Sequence, residues 1–222
     1  MKIKTILIIT ATAAFALGGQ TYAAVVNVIT PTGITISDST GTYETPGGTG
    51  FLLDDSGLST AIGSTIDTVS VLPTITVAGS VDSIGWRRNG SAAPAVDFTF
   101  SLGAAKSFNG IIIGNYWESE AGNLPYRGVS TFGLEISTDG GFTYTPVQTV
   151  NPAQSTGNLE YISLGTTYAG VTHIKFNDAT YFNGDGAHIM GMNEVRFTIP
   201  EPSAALLGGL GMLVLLNRRR RF

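Results

Sequence analysis

The strongest constraint on this chain is a two-residue period that recurs in short runs and never gives way to a helical one. Val96-Asp97-Phe98-Thr99-Phe100-Ser101-Leu102 alternates apolar and polar residues, the pattern of a strand with one buried face. Ile111-Ile112-Ile113 is a continuous β-branched run, expected of a central strand covered on both faces. Phe132, Leu134 and Ile136 alternate again, and Asp139-Gly140-Gly141 after them is a hairpin-turn signal. Further strands are expected over 144–150, 159–164, 171–176 and 189–199. Short strands at this spacing, parted by Gly, Asn and Asp turns, predict an all-β protein built as one sandwich or jelly roll.

The two chain ends read differently. Residues 1–4 carry two lysines, 6–17 are apolar, and Thr21-Tyr22-Ala23 offers small residues where a signal peptidase cuts. A signal peptide over 1–23 is expected, with cleavage after Ala24 as the alternative. At the other end Pro200-Glu201-Pro202 is followed by an apolar stretch over 203–216 and by Arg218, Arg219, Arg220 and Arg221. As a helix that stretch would span roughly 21 Å against a hydrocarbon core of about 30 Å. Gly208, Gly209 and Gly211 weaken it further, and the arginines favour the cytoplasmic side. The Pro-Glu-Pro triplet, apolar helix and basic cluster resemble the PEP-CTERM sorting signal of Gram-negative bacteria. That resemblance implies export, an exosortase as processing partner, transient membrane attachment over 199–222, and release to the cell surface or extracellular matrix. A plain membrane anchor is the other reading of the same residues.

Between the ends, 24–198 is long enough for one domain with a real core. Two lysines and four of the arginines fall in the terminal segments, and of the acids only Glu201 does. Six cations therefore face 15 acids across 24–198, a net charge of −9. Nucleic acid and anionic lipid need a cationic face, so neither is expected as a partner. There is no cysteine, which excludes thiol catalysis, cysteine-ligated metals and disulfides alike.

From residue 50 to 199 the pieces resemble the discoidin-like, galactose-binding-like jelly roll of coagulation-factor C domains and bacterial carbohydrate-binding modules. The resemblance rests on Leu53-Asp54-Asp55-Ser56-Gly57-Leu58-Ser59, on Val96–Gly103, on Phe108-Asn109-Gly110-Ile111-Ile112-Ile113, on the Ser137-Thr138-Asp139-Gly140 turn and on Asn193-Glu194-Val195-Arg196-Phe197. It implies one structural Ca²⁺ held by Asp54, Asp55, Ser59 and Glu194, since Ca²⁺ takes six to eight oxygen ligands. The same residues also read as a solvated turn and a glutamate paired with an arginine. The family's Arg-containing strand appears here as Thr172-His173-Ile174-Lys175, so ligand specificity does not carry over.

Sugar binding needs an aromatic platform and a few fixed polar groups. The candidates are Trp86 with Arg87 and Arg88, Trp117 with Glu118, Arg127, and His188, all expected in loops. Both tryptophans also read as packing. Glycoside hydrolysis wants two carboxylates about 5–9.5 Å apart, and Glu118 with Glu120 is a poor pair for it. No nucleophile elbow or metal-protease motif is present. The function expected is non-catalytic binding or organisation of polysaccharide, with a purely structural matrix protein and a Ca²⁺-dependent protein adhesin as the alternatives.

Overall fold

The computed structural model describes residues 26–38, 49–66, 69–77, 86–88, 95–118, 124–182, 184, 186 and 188–199. Of these, the side chains of Asp38, Thr49, Phe51 and residues 86–88 lie outside the description. Both terminal segments, the sorting motif Pro200–Pro202 included, lie outside the described residues.

Among the described residues, nine antiparallel strands make one continuous sheet that folds onto itself. They are β1 (Val26–Ile29), β2 (Gly33–Asp38), β3 (Thr65–Ile66), β4 (Trp86–Arg88), β5 (Val96–Asn115), β6 (Val129–Ser137), β7 (Thr145–Val150), β8 (Glu160–Tyr181) and β9 (Met190–Ile199). The main path runs β3-β1-β9-β5-β8-β6-β7, with β2 pairing β5 and β4 pairing β9. Among the described residues no helix is long and apolar enough to cross a membrane.

Two strands belong to both halves of the sandwich. The first part of β5 pairs β2 on one side (Phe100 opposite Ile34) and β8 on the other (Phe100 opposite Ile174). Its last part pairs β9, with Ile111 opposite Phe197, while still pairing β8, with Ile111 opposite Ile162. The β5–β8 register shifts repeatedly between Ser101 and Gly110, which lets both strands turn from one half to the other.

Folding the sheet brings Phe197 of β9 edge-on to Phe100 at 5.5 Å and to Phe176 at 6.2 Å between ring centroids. Phe132 stacks on Phe176 at 3.9 Å. These rings sit in the main core, and all four are at most 1 % exposed. Ile111 and Ile113 face this core. Ile112 between them faces a second cluster of Val28, Ile62, Ile66, Leu72, Ile75, Val77 and Leu159. The continuous apolar run is thus a strand covered on both faces, as expected.

The second cluster is roofed by the segment 58–77. That segment is tied down by Val77 N–H donating to the Gly157 carbonyl at 2.8 Å and Leu159 N–H donating to the Ile75 carbonyl at 3.1 Å. The turn between β6 and β7 is held by Asp139. Its carboxylate accepts from the Thr143 hydroxyl at 2.6 Å, the Ser137 hydroxyl at 2.7 Å and the N–H groups of Phe142 and Thr143. These donors hold its carboxyl well below the usual carboxylate range.

Phe197→Ala is expected to cost about 3–5 kcal/mol, because it empties the contact between the two halves. Phe142→Ala, at a ring that is 88 % exposed, is expected to cost almost nothing. Urea unfolding of both variants checks this, and equal losses would contradict the packing described.

Candidate functional site

One end of the sandwich gathers most of the polar side chains expected to bind ligand. It is built where β5 leaves the sheet, where β6 begins and where β8 hands over to β9. Asn115, the last residue of β5 and 2 % exposed, ties these pieces together. Its Nδ2 donates to the Val129 carbonyl at 2.8 Å and to the Ala153 carbonyl at 2.9 Å. Its Oδ1 accepts from the N–H groups of Val129 at 2.8 Å and Tyr116 at 3.0 Å. A Cβ at residue 128 would lie 2.5 Å from that oxygen, so Gly128 is required for the contact. A fully satisfied buried amide of this kind fixes the backbone around it.

Glu118 follows as a buried carboxylate. Its Oε2 accepts from the Tyr116 hydroxyl at 2.6 Å, and Arg127 Nη1 approaches the same oxygen at 4.0 Å. Tyr116 and Glu118 are two residues apart on an extended chain, so they share a side. Glu118 was expected in a mobile loop and is instead 8 % exposed and held in place. Glu120 lies outside the described residues.

His188 stands opposite. Its backbone adopts φ +53°, a region that residues other than glycine rarely enter, and Nδ1 lies 2.8 Å from the Tyr181 hydroxyl. The two loops meet directly. Val129 pairs with Tyr181, Phe182 N–H donates to the Gly128 carbonyl at 3.2 Å, and Gly128 bridges Gly191. Trp86, Arg87 and Arg88 were expected in a loop but form strand β4, whose backbone pairs with Met192, Gly191 and Met190. That pairing sets β4 beside the His188 segment. The side chains of all three lie outside the described residues.

Trp117 does not join this group. It is half-buried and packs on the second core cluster, close enough that a Cβ at Gly157 would lie 2.8 Å from its ring. The Trp117 backbone N–H donates to Asn193 Oδ1 at 2.8 Å. Trp117 therefore serves packing, because neighbours Tyr116 and Glu118 take the opposite side of the extended chain. Asn115 was not anticipated as a site residue, whereas Tyr116 and Tyr181 stand in segments expected as loops that hold aromatic candidates. The alternation Tyr116–Glu118 was the available signal.

The residues expected to hold Ca²⁺ converge on a guanidinium. Glu194 and Arg196, two apart on β9, point the same way and are buried. Arg196 Nη1 pairs with Glu194 Oε1, and Nη2 contacts Asp55 Oδ1 at 3.1 Å. Asp55 N–H donates to Glu194 Oε2 at 3.1 Å. Asp54 Oδ1 accepts from the Ser56 N–H, and Ser59 Oγ accepts from the Thr76 N–H. Among the described residues no group of three or more His, Asp or Glu is placed to hold a metal ion. The arrangement does not fit a divalent cation, because the positive charge between these carboxyls is already Arg196.

Two carboxyls share that single guanidinium, and the fully buried one yields. Burial pushes the Glu194 carboxyl up, to about 9, against the opposing pull of Arg196. The half-buried Asp55 balances the guanidinium.

No known family profile matches the chain, and no curated protein is similar to it in sequence. Its fold is similar to solved structures. The family 32 carbohydrate-binding module from Streptococcus pneumoniae EndoD superposes with a TM-score of 0.51 at 13 % identity, over 78 % of this chain and 99 % of that one. The family 32 module of C. perfringens NanJ, solved with galactose, gives 0.48 at 15 % identity, over 78 % and 98 %. An F5/8 type C domain from Bacteroides fragilis gives 0.46 at 9 % identity, over 79 % and 97 %. The likeness to the EndoD module shows the jelly-roll architecture for this chain.

The Arg196 clasp yields a prediction with a definite sign. Glu194 keeps in the folded state a proton that the unfolded chain gives up near its ordinary value. Its contribution is complete in acid and is lost as pH rises through about 9. The stability of the wild type relative to Glu194→Gln should therefore fall from pH 5 to pH 9 in urea titrations. Arg196→Met should cost about 1–3 kcal/mol, the penalty for leaving the buried Glu194 and Leu52 acceptors without their donor. Melting in Ca²⁺ and in chelator should coincide. A difference that grows with pH, or a Ca²⁺-dependent rise in melting temperature, would contradict the clasp.

Proposed function

We propose that this chain is an exported, non-catalytic carbohydrate-binding protein whose ligand surface is the loop end around Glu118, Arg127 and His188. The observation that carries the reading is the Glu118–Arg127 pair, set by the buried Tyr116 hydroxyl on a chain end that Asn115 holds, with the Tyr181–His188 segment adjoining it through Val129 and Gly128. Vicinal sugar hydroxyls are both donors and acceptors, and charged partners give the stronger bonds to them. A rigid scaffold that displays such groups on joined loops suits recognition. The EndoD and NanJ domains are carbohydrate-binding modules, and the NanJ module was solved with galactose. Their architecture supports the same use here.

Glu118 is committed to Tyr116 and Arg127, which suits a positioning and binding group better than an acid or base that must exchange protons. The backbone of β4, which carries Trp86, Arg87 and Arg88, runs beside the proposed surface by pairing with Met190–Met192. Processing by signal peptidase at the N-terminus and by an exosortase near Pro200–Pro202 would pass the domain through a membrane-attached stage to the cell surface or matrix of a Gram-negative bacterium.

A glycan array with the full chain tests the binding. Retention of at least one glycan is expected, with a loss of about tenfold or more in Glu118→Gln and in His188→Ala, as for a hydrogen bond to a charged group. Absence of retention by the folded wild type, or undiminished retention by both variants, would overturn the proposal.

A further inference from the structure

A cleft of about 340 Å³ opens on the other side of Asn115, between the roof segment 58–77 and the loop that joins β7 to β8. That volume is at the lower end of the ~300–1,000 Å³ typical of small-ligand sites. Its walls include Pro73 and Tyr161, and its rim carries Gln154, Thr156, Asn158 and Glu160.

These rim groups are notable for what they leave unused. Glu160 Oε2 accepts from the Ala153 N–H at 2.9 Å. Among the described residues, Glu160 Oε1 and the side chains of Gln154, Thr156 and Asn158 make no hydrogen bond. Glu160 is half-buried, and burial pushes its carboxyl up against the pull of that N–H. A half-buried acceptor beside two amides and a hydroxyl, all available, gains most from a ligand that is itself rich in hydroxyls. Tyr161 and Pro73 add flat apolar surface next to them. Among the described residues no lysine, arginine or histidine lines the cleft, and the charge there is the acidic Glu160.

We propose that this cleft is a second sugar subsite that takes a neutral pyranose unit and rejects uronates. The pyranose ring lies on Tyr161 and Pro73, and its hydroxyls meet Glu160, Gln154, Thr156 and Asn158. An acidic sugar would bring its carboxylate beside Glu160 with no cation to offset the repulsion. The choice of ligand class rests on the sugar-binding reading above. The cleft itself is separate from the Glu118 surface and touches it only through Asn115.

The test is amide-resolved NMR of the full chain, titrated separately with galactose, N-acetylgalactosamine, glucose, mannose and galacturonate. At least one neutral sugar should shift the amides of 153–161, and galacturonate should leave them in place. Gln154 and Thr156 are exposed, so the double variant Gln154→Ala/Thr156→Ala should fold normally and bind that sugar at these amides about tenfold more weakly. Shifts confined to the amides of Glu118, Arg127 and His188 would overturn the cleft and leave the first surface standing. Galacturonate moving the cleft amides as strongly as a neutral sugar would overturn its specificity. No shift with any of the five sugars would overturn the cleft and count against the sugar-binding reading as well.

Discussion

Everything in this molecule depends on β5 and β8 serving both halves of one sheet. A chain without cysteine has no covalent clamp, so closure must come from burial. Because β5 pairs β2 at its start and β9 at its end, the sheet is already joined to itself along one strand. Packing Phe197 against Phe100 and Phe176 then closes it. The same turn fixes where β5 ends, and therefore where Asn115, Tyr116 and Glu118 stand. Core and site are consequences of one topological fact.

Polar burial does the finer positioning. Asn115 spends both ends of its amide on three chain segments, and the loop end follows from that. Arg196, itself buried, does a comparable job on β9, drawing the Asp55 turn onto that strand through Glu194 and the Leu52 carbonyl. A buried pair of this kind contributes little net stability compared with an apolar substitute, but breaking it is costly. Its structural use is specification: it sets the 52–55 turn against one register of β9. Arg196 supplies the counter-charge that both carboxyls face, and burial raises the Glu194 carboxyl against its pull.

Much of the sheet was legible in the sequence, because period two over five or more residues is hard to satisfy any other way. The strands around Phe98, Ile112 and Leu134, and the Asp139 turn, lie where the pattern puts them. The pattern split β5 and β8 into pieces, however, since Gly103-Ala104-Ala105-Lys106 and Gly165-Thr166-Thr167 carry no alternation across the turn between halves. Strands β3 and β4 are two and three residues long and pair with distant partners, so nothing local marks them, while β1 and β2 carry only short alternations at Val26/Val28 and Ile34/Ile36. The site was half legible. Residue type flagged Glu118 and Arg127, which the fold sets 4.0 Å apart, and His188, which it sets on the Tyr181 hydroxyl. The side taken by Trp117 depended on how β5 leaves the sheet. The fate of Glu194 depended on Arg196, two residues on, which strand alternation does place beside it. The cleft at Glu160 arises from a loop and a roof 80 residues apart in sequence, and only the tertiary structure puts them together.

Two sugar-binding surfaces on either side of Asn115 would suit a protein that holds a chain rather than a single sugar, with an acidic body that discourages polyanions. The central claim is that the loop end is the primary ligand surface. The most direct measurement is a crystal structure of the chain grown with a galactose-containing oligosaccharide. The account predicts a pyranose in hydrogen-bond contact with Glu118, Arg127 or His188. A bound sugar that avoids all three, or a loop end that stays empty at saturating oligosaccharide, would contradict it.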